Sequence, residues 1–393
     1  MFAVFPSARK VLHMLALPII ALTLAACDAV PGGGFGGGPS IDTSEAVPVA
    51  LLVPGGSGLT TDELLAQSLE NAARLAMRDL NGASIDLRVY QTGGDANRAA
   101  ARAKQAVDEG AKIILGPVYA ASANAVGNAV ASQNISVLSF SNNAAIAGGN
   151  VFVLGPTFQN TSDRMISYAL SQGKQRFVLV HGQDSAGIAG RDAINRSIQT
   201  QGASVVGSVS YALSQQDVIA AIPAIKTAVQ SNAADAVFMT TDTASALPLL
   251  SQLLPEAGVT SETSQFMGLT RWDIPAQTLS LPGVQGGWFA IPDPSASATF
   301  SSQYQNAYGS VPHPIGGLAF DGIAAIGALV SQGQSNALSG AALTQGAGFR
   351  GASGIFRLLP DGSNQRGLAV ATINEAQVSI LSPAPQSFRG VGF

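Results

Sequence analysis

The fold is decided at residues 112–143, which read KIILGPVYAASANAVGNAVASQNISVLSFSNN. Residues 112–115 predict a short buried strand that stops at Gly116-Pro117, and residues 135–140 predict a second strand. The small residues at 120–131 between them have the character of a helix. Two buried strands joined by a helix are typical of a parallel sheet that helices cover on both faces.

The two loops that follow these strands are Gly116–Ser122 and Ser139–Ala144, and both are rich in small, hydrogen-bonding residues. In parallel sheets, ligands bind beyond the carboxyl ends of the strands, where loops and helix N-termini present free N–H groups. We therefore predict that the two loops form one wall of a ligand cleft. Gly, Ser and Asn are also good turn formers, and this simpler reading of the loops stays open.

The rest of the chain repeats the same alternation of strand and helix. A first buried strand is expected at residues 47–53, and Thr60 with Glu63 forms a capping-box pattern at the start of the next helix. After a crossover strand at residues 151–156 the alternation starts afresh. We predict an α/β fold with two doubly wound parallel-sheet lobes joined by a multi-crossing hinge.

The order of the elements also suggests where each lobe begins and ends. A hairpin is expected around Pro360–Ser363, between strands at 354–358 and 368–373. The tail at 383–393 has the composition of a loose segment. The predicted N-terminal lobe comprises residues 47–156 and 292–364, and the predicted C-terminal lobe comprises residues 157–291 and 365–382.

Composition excludes several classes of protein. The chain of 393 residues is too long for one compact core, and only 11% of its residues are charged. Its formal net charge is −4, with no basic cluster that could follow a phosphate backbone, so we expect no nucleic-acid partner. With one cysteine, an intrachain disulfide and a cysteine-based metal site are both impossible.

That cysteine, Cys27, ends an N-terminal targeting pattern. Arg9 and Lys10 precede an apolar stretch that is too short and too early for a comfortable membrane span, and the sequence LAAC ends at Cys27. We predict a lipoprotein signal peptide at residues 1–26 and a lipid on Cys27. The Gly- and Pro-rich residues 27–46 are predicted to be a flexible tether. An ordinary cleavage site that happens to contain cysteine is the alternative.

The order of elements resembles the type I periplasmic binding proteins of the branched-chain amino acid receptor group, over residues 47–380. This resemblance implies two lobes that close around a ligand, and a periplasmic location. The motifs that carry it are Ile114–Pro117, Val137–Asn143, Gln265–Gly268, Phe300-x-x-x-Tyr304-x-x-x-Tyr308-Gly309 before Phe320-Asp321, and Gly348–Gly351 with Phe356 and Pro360–Gly362.

The amino acid receptors of this group hold the α-carboxylate with small hydroxyls, and they pair the α-ammonium with an acidic residue. In this chain the first hydroxyl position falls at Ala120 and the loop threonine at Asn143. The acidic position falls near Thr270, and a tyrosine of the C-terminal lobe near Ala186. A buried ammonium without a carboxylate costs several kcal/mol, so these departures argue against amino acid binding in the usual manner.

A narrower resemblance is carried by Leu138–Asn142 with Ala147-Gly148 and Val151–Gly155. These segments resemble the corresponding sequence of the lipoproteins known as penicillin-binding-protein activators, the LppC/LpoA-like group. The resemblance implies protein contact with peptidoglycan synthases from a lipid anchor. The chain lacks the helical-repeat domain that the best-known members of the group carry before this fold.

No catalytic constellation is visible in the sequence. Beyond the leader the chain has two histidines, His181 and His313, and no Gly-x-Ser-x-Gly, phosphate loop or metal-ligand spacing. We therefore expect no enzyme, no cofactor and no metal. The residues predicted to bind a ligand at the cleft are Tyr119, Ser122, Ser141, Asn142, Asn143, Asp242, Arg271 and Trp272.

Each of the more specific candidates has a structural alternative. Arg271 and Trp272 directly follow a predicted strand and could offer an anion-binding fork beside a flat apolar face. Trp272 could instead pack in the hinge while Arg271 faces solvent. Asp242 could cap the helix expected near Ala244, and Tyr119 could be a surface residue of its turn.

Two functions follow from these observations. The first is a lipid-anchored regulator that activates peptidoglycan synthases, the penicillin-binding proteins, by contact. The alternative is a solute receptor that binds an amino acid or another small polar ligand and delivers it to the permease of an ABC transporter. In either function the chain is expected in the periplasm of a Gram-negative bacterium, anchored by lipid to the inner or the outer membrane.

Overall fold

A computed structural model describes residues 37–388, and strands and helices alternate through most of that range. The strands are β1 (Val47–Val53), β2 (Ile85–Gln91), β3 (Ile113–Leu115), β4 (Val137–Ser139), β5 (Val151–Val153), β6 (Arg176–Gly182), β7 (Ser204–Tyr211), β8 (Ala236–Met239), β9 (Gln265–Gly268), β10 (Trp288–Pro292), β11 (Phe349–Gly351), β12 (Gly354–Leu358), β13 (Asn364–Arg366), β14 (Leu368–Asn374) and β15 (Gln377–Ser382).

The helices are α1 (Thr60–Arg78), α2 (Ala96–Asp108), α3 (Ala120–Val130), α4 (Phe158–Ser171), α5 (Ser185–Thr200), α6 (Gln215–Ser231), α7 (Leu247–Glu256), α8 (Pro294–Tyr308), α9 (Gly317–Val330) and α10 (Gly340–Leu343). No helix within residues 37–388 combines the length and the apolar character that a bilayer crossing requires.

The first sheet has the order β2-β1-β3-β4-β5, and all its pairs are parallel. Side chains of β1 alternate between its faces, as the pleat of a strand requires. Val49 and Leu51 join the core under α1 and α9, whereas Ala50 and Leu52 join the core under α2 and α3. The sheet is therefore buried on both faces, and the predicted β3-α3-β4 unit is confirmed.

The second sheet has the order β15-β14-β10-β9-β8-β6-β7. Strands β6 to β10 are parallel to their neighbours, and β14 and β15 complete one side as antiparallel strands. Separate clusters of buried side chains fill its two faces, one including Phe266 and Phe289 and the other Phe177 and Phe238. Two doubly wound sheets, each covered by helices, confirm the predicted fold class.

The predicted terminal hairpin is partly wrong. Strand β12 pairs with β13 at Asn364–Arg366, and with β11 on its other side, in a small separate sheet. The longer apolar run, β14, pairs with β10 and β15 in the second sheet. Its residues from Leu368 to Ile373 are all buried, so β14 gains more by completing a large sheet than by closing the hairpin.

The capping-box prediction is also wrong. Helix α1 begins at Thr60 itself, with Leu59 in the N-cap position and no side-chain cap. The Glu63 carboxylate instead accepts a hydrogen bond from the N–H of Gly56, at 2.7 Å. Glu63 therefore holds the loop after β1 against the first turn of α1. This bond reaches further along the chain than the bond that a capping box would make.

The chain passes between the two large sheets three times, after β5, after β10 and between β13 and β14. Asn364 joins two of these passages, because its side-chain amide donates to the carbonyl oxygens of Val153 and Gly155. The amide of Asn160, on α4, donates in turn to the Asn364 carbonyl oxygen at 2.8 Å. The passages are bonded to each other and form the predicted multi-crossing hinge.

A buried ion pair stands at the same place. The Nη2 of Arg366 lies 2.9 Å from Oδ2 of Asp321, and their side chains are 6% and 0% exposed. This contact is electrostatic without hydrogen-bond alignment, because Oδ2 accepts no aligned bond. Asp321 Oδ1 accepts from the N–H of Ala352, and Arg366 donates to the Leu154 carbonyl oxygen. Burial raises the pKa of the Asp321 carboxyl above its ordinary value, and Arg366 opposes this shift.

Parts of the two segments predicted to be flexible are packed. Ile41, in the predicted tether, is buried in the core of the first lobe, and its N–H donates to the Ser335 carbonyl oxygen. In the predicted tail, Gln386 donates from Nε2 to Asp293 Oδ2 at 2.8 Å. The predicted signal peptide, Cys27 and the end of the tail lie outside the described residues. The lobe boundaries themselves stay a prediction.

We predict that Arg366→Met lowers the free energy of unfolding by about 3–5 kcal/mol, because it leaves the buried Asp321 carboxylate without its cation. Chemical denaturation measures the loss. Arg102→Met, on the exposed face of α2, is the matched control and should change stability by less than about 0.5 kcal/mol. Adding Asp321→Asn to Arg366→Met should restore part of the loss, since no charge is then stranded.

The same variant gives a pH test with a defined sign. The folded-state pKa of Asp321 is already raised and rises further without Arg366, whereas the unfolded chain keeps a value of about 3.9. The loss caused by Arg366→Met should therefore be smallest near about pH 4 and should grow as the pH rises towards 7. A loss that is independent of pH would show that packing, and not charge, is what Arg366 contributes.

Candidate functional site

The loop after β3 turns sharply at Gly116, as the sequence predicted. Gly116 has a φ of 87°, and a Cβ placed there would lie 2.3 Å from the Leu52 carbonyl oxygen of the neighbouring strand. A side chain is therefore excluded both by the left-handed conformation and by the close approach of β1. This turn carries the chain to Tyr119 and into α3.

Tyr119 and Ser122 are both bonded within the first lobe. The Tyr119 hydroxyl donates to Asp62 Oδ1, on the first turn of α1, at 2.5 Å. This hydrogen bond, with partial burial, raises the pKa of Tyr119 to about 12. Ser122 is 1% exposed and its Oγ lies 3.5 Å from the Gly94 carbonyl oxygen. Tyr119 is thus 40% exposed with its hydroxyl already bonded, and Ser122 is inaccessible to a ligand.

The loop after β4 satisfies most of its own polar groups. Ser141 is buried, and its Oγ accepts a hydrogen bond from the N–H of Asn143. Asn143 then accepts from Ala145 N and caps the short turn that follows. Asn142 is exposed, and its side chain makes no hydrogen bond within residues 37–388. Of these three predicted site residues, Asn142 and Asn143 are exposed to a ligand, and Ser141 is not.

On the second lobe, the loops after β8 and β9 are bonded together. Thr270 donates to the carbonyl oxygen of Thr241, and Thr243 donates to that of Ile274. Asp242 lies in the first of these loops and accepts from the N–H of Ala244, ahead of α7, which begins only at Leu247. Asp242 therefore makes a capping bond to a turn and not to the helix expected near Ala244.

Trp272 packs inside the second lobe. Its side chain is fully buried and stacks on Phe289, with ring centroids 6.3 Å apart. A Cβ at Gly268 or at Gly287 would lie 2.4 Å from the indole, so the ring fills the space that these two glycines leave. In this conformation it offers no face to a ligand. Trp272 therefore packs, as the alternative expects, but in the core of the second lobe and not in the hinge.

Arg271, the residue before Trp272, lies at a cavity of about 280 Å³ between the lobes. The second lobe contributes Arg271, and the first contributes α8, the loop before α9 and the start of α9. The lining residues are Pro156, Arg271, Pro292, Ser297, Phe300, Ser301, Pro312, His313, Pro314, Ile315, Gly317, Leu318, Ala352, Ser353, Arg366 and Leu368.

Two of the charged groups at this cavity already have partners. Arg271 donates from Nε and Nη2 to the two oxygens of Asp273, at 2.9 and 2.5 Å. Arg366 is held by Asp321 and by the Leu154 carbonyl oxygen. The cavity is therefore bordered by two guanidinium groups whose directions are fixed by carboxylates behind them, which is a preorganised arrangement for an anion.

His313 is the third titratable group of the lining. Partial burial lowers the pKa of its imidazole below the ordinary value. Its Nδ1 accepts from the N–H of Ile315 at 3.3 Å, so the neutral ring carries its proton on Nε2. Within residues 37–388 no serine bonds to the His313 ring, and no group of His, Asp or Glu side chains is placed to hold a metal ion.

The structure thus assembles a different set of residues from the one predicted. Of the eight predicted ligand contacts, Arg271 alone lines this cavity. Arg366 and His313 were missed because no local pattern distinguishes them. Arg366 reaches the cavity only because β13 ends at the third passage of the chain, and His313 only because the loop before α9 faces that passage.

Known structures share this architecture. A candidate branched-chain amino acid ABC transporter protein from Rhodospirillum rubrum is 16% identical, with a TM-score of 0.72 over 86% of this chain and all of that one. A substrate-binding protein from Desulfitobacterium hafniense in complex with leucine is 18% identical, with a TM-score of 0.61 over 86% and 100%. A solute-binding protein from R. palustris in complex with benzoate is 17% identical, with a TM-score of 0.54 over 89% and 99%.

These structural likenesses, at such low identity, establish the fold. A comparison with curated proteins found no match. The family profile described as "Periplasmic binding protein" matches residues 46–377, which is most of the chain and includes both large sheets, the hinge and the cavity. The chain belongs to the periplasmic binding protein family, with the type I fold of its branched-chain amino acid binding group.

Proposed function

We propose that this protein is a solute receptor that binds a small molecule between its lobes and delivers it to an ABC transporter. The observation that carries the proposal is the cavity of about 280 Å³, which is lined from both lobes and from the hinge. A ligand that contacts both lobes favours the closed arrangement over the open one, and this difference in affinity is what couples binding to hinge motion.

The similar structures support this function over the activation of peptidoglycan synthases. The similar proteins from Desulfitobacterium hafniense and R. palustris were solved with leucine and with benzoate, and the former is an ABC transporter substrate-binding protein. None of the three similar structures described above is a penicillin-binding-protein activator. The cavity also offers a place for a ligand that an activator acting by contact alone does not need.

Cavity-filling variants test the proposal directly. Ser301 and its neighbour Ser302 are both exposed on α8, but only Ser301 lines the cavity. We expect the protein purified from its native host to retain a stoichiometric small molecule, detected by native mass spectrometry. Ser301→Trp should lose that molecule and Ser302→Trp should keep it, and after removal of the molecule all three proteins should unfold at the same temperature.

The contrary result would be equally clear. A protein that carries no small molecule, and that instead captures a purified peptidoglycan synthase with equal strength in both variants, would overturn the receptor function in favour of the activator. Retention of the same molecule by Ser301→Trp would show that binding takes place outside this cavity.

We further propose that a lipid on Cys27 anchors the receptor to a membrane facing the periplasm. The lone cysteine stands at the end of the apolar leader, and about ten residues separate it from Gly37, where the described structure begins.

Cys27→Ser should release the protein from the membrane fraction into the soluble periplasmic fraction, because it removes the thiol that carries the lipid. Cell fractionation and mass spectrometry of the N-terminal peptide measure the change. Ala29→Ser introduces the same residue two positions later and should remain anchored. An unmodified cysteine in the wild-type N-terminal peptide would contradict the anchor.

A further inference from the structure

The charged groups at the cavity between the lobes are of one sign. Its lining includes the guanidinium groups of Arg271 and Arg366 and the neutral imidazole of His313, and it includes no Asp or Glu. The acidic partners of the two arginines, Asp273 and Asp321, do not line the cavity. A ligand in this space therefore meets cations and no carboxylate.

Exposure shows that Arg271, and not its partner Asp273, is the half of this ion pair that faces solvent. The Arg271 side chain is 40% exposed, and its partner Asp273 is 12% exposed. Asp273 occupies Arg271 Nε and one Nη2 proton, and the remaining three of its five N–H donors have no acceptor within residues 37–388. The free edge of this guanidinium has the geometry for a two-point contact with a carboxylate.

The rest of the lining is apolar. Phe300, Ile315, Leu318 and Leu368 border the space, together with prolines from the first crossing, from β10 and from the loop before α9. A volume of about 280 Å³ lies at the lower end of the usual range for ligand pockets, about 300–1,000 Å³. The dimensions suit a small molecule whose body is hydrophobic and whose head is charged.

An ammonium group has no partner in this space. The acidic residue that would pair it is absent from the lining, and Thr270, at the corresponding position after β9, donates its hydroxyl to the Thr241 carbonyl oxygen. A buried cation without a counter-charge, beside two guanidinium groups, is strongly disfavoured. The lining thus discriminates against zwitterions in favour of simple anions.

We infer that the ligand is a small monocarboxylate with an apolar body and no amino group, held at its head by Arg271 beside Arg366. This inference rests on the proposed receptor function and names the class of solute that the cavity takes. The apolar side chains enclose the body, and the two carboxylates behind the arginines keep the guanidinium groups in place before the ligand arrives.

The test compares molecules that differ by one group. Leucine and 4-methylpentanoate are identical except for the α-ammonium, and 4-methylpentan-1-ol replaces the carboxylate by a neutral hydroxyl. By isothermal titration of the full chain in detergent at neutral pH, we expect 4-methylpentanoate to bind at least about 100-fold more tightly than leucine, and at least about 10-fold more tightly than the alcohol.

A double variant tests whether Arg271 is the residue that binds the carboxylate. Arg271→Gln combined with Asp273→Asn removes the cation without stranding its partner, and it should weaken 4-methylpentanoate by about 10- to 100-fold while leaving the alcohol unchanged. Arg102→Gln, an exposed arginine on α2, is the control and should bind as the wild type does. Benzenesulfonate beside benzoate tests whether a planar carboxylate is required, and benzoate should bind more tightly.

The outcomes separate the two proposals. Tighter binding of leucine than of 4-methylpentanoate would overturn the monocarboxylate and leave the receptor function standing. Equal binding of the acid and the alcohol, or an unchanged acid affinity in the double variant, would overturn the role of Arg271. If no probe binds and the native protein carries no small molecule, the receptor function itself fails.

Discussion

The contact between Arg366 and Asp321 is the interaction on which the rest of the structure depends. Arg366 ends β13 at the third passage between the lobes, Asp321 lies within α9, and the Leu154 carbonyl oxygen belongs to the first passage. One buried guanidinium thus joins two passages to the core of the first lobe. Because a cation left without its partner in this interior is costly, the three segments keep one arrangement, and the cavity beside them keeps its shape.

The same constraint explains the character of the site. The small polar residues at the carboxyl edge of the first sheet hold each other: Ser141 bonds Asn143, and Tyr119 bonds Asp62. Their function in this conformation is to shape loops. The cations that line the cavity are the half-exposed Arg271 and the buried Arg366, and each is paired with an acid that does not line it. Binding energy at such a site comes from preorganised charge and apolar enclosure, and little reorganisation is needed when a ligand arrives.

The periodicity of the sequence was sufficient to predict the fold, because runs such as residues 112–115 and 135–140 are short, apolar and separated by helix-like segments. Periodicity was insufficient where pairing between segments distant in the chain determines which sheet a strand joins. The sequence of residues 368–373 predicts a strand of the terminal hairpin, because a single sequence does not show that β10 is the better strand for it to pair with. Similarly, Arg271 was recognised because it directly follows a strand, whereas Arg366 and His313 reach the cavity through tertiary packing that no nearby residue signals.

The indole of Trp272 occupies the gap left by Gly268 and Gly287, and a single added methyl group at either glycine would overlap it. Arg271 directly precedes Trp272 in the chain, so the position of the cation is fixed by a side chain that is packed in the core of the second lobe. Three positions that never touch a solute therefore govern its recognition jointly. A larger residue at position 268 or 287 would therefore be accommodated only if a smaller side chain replaced Trp272.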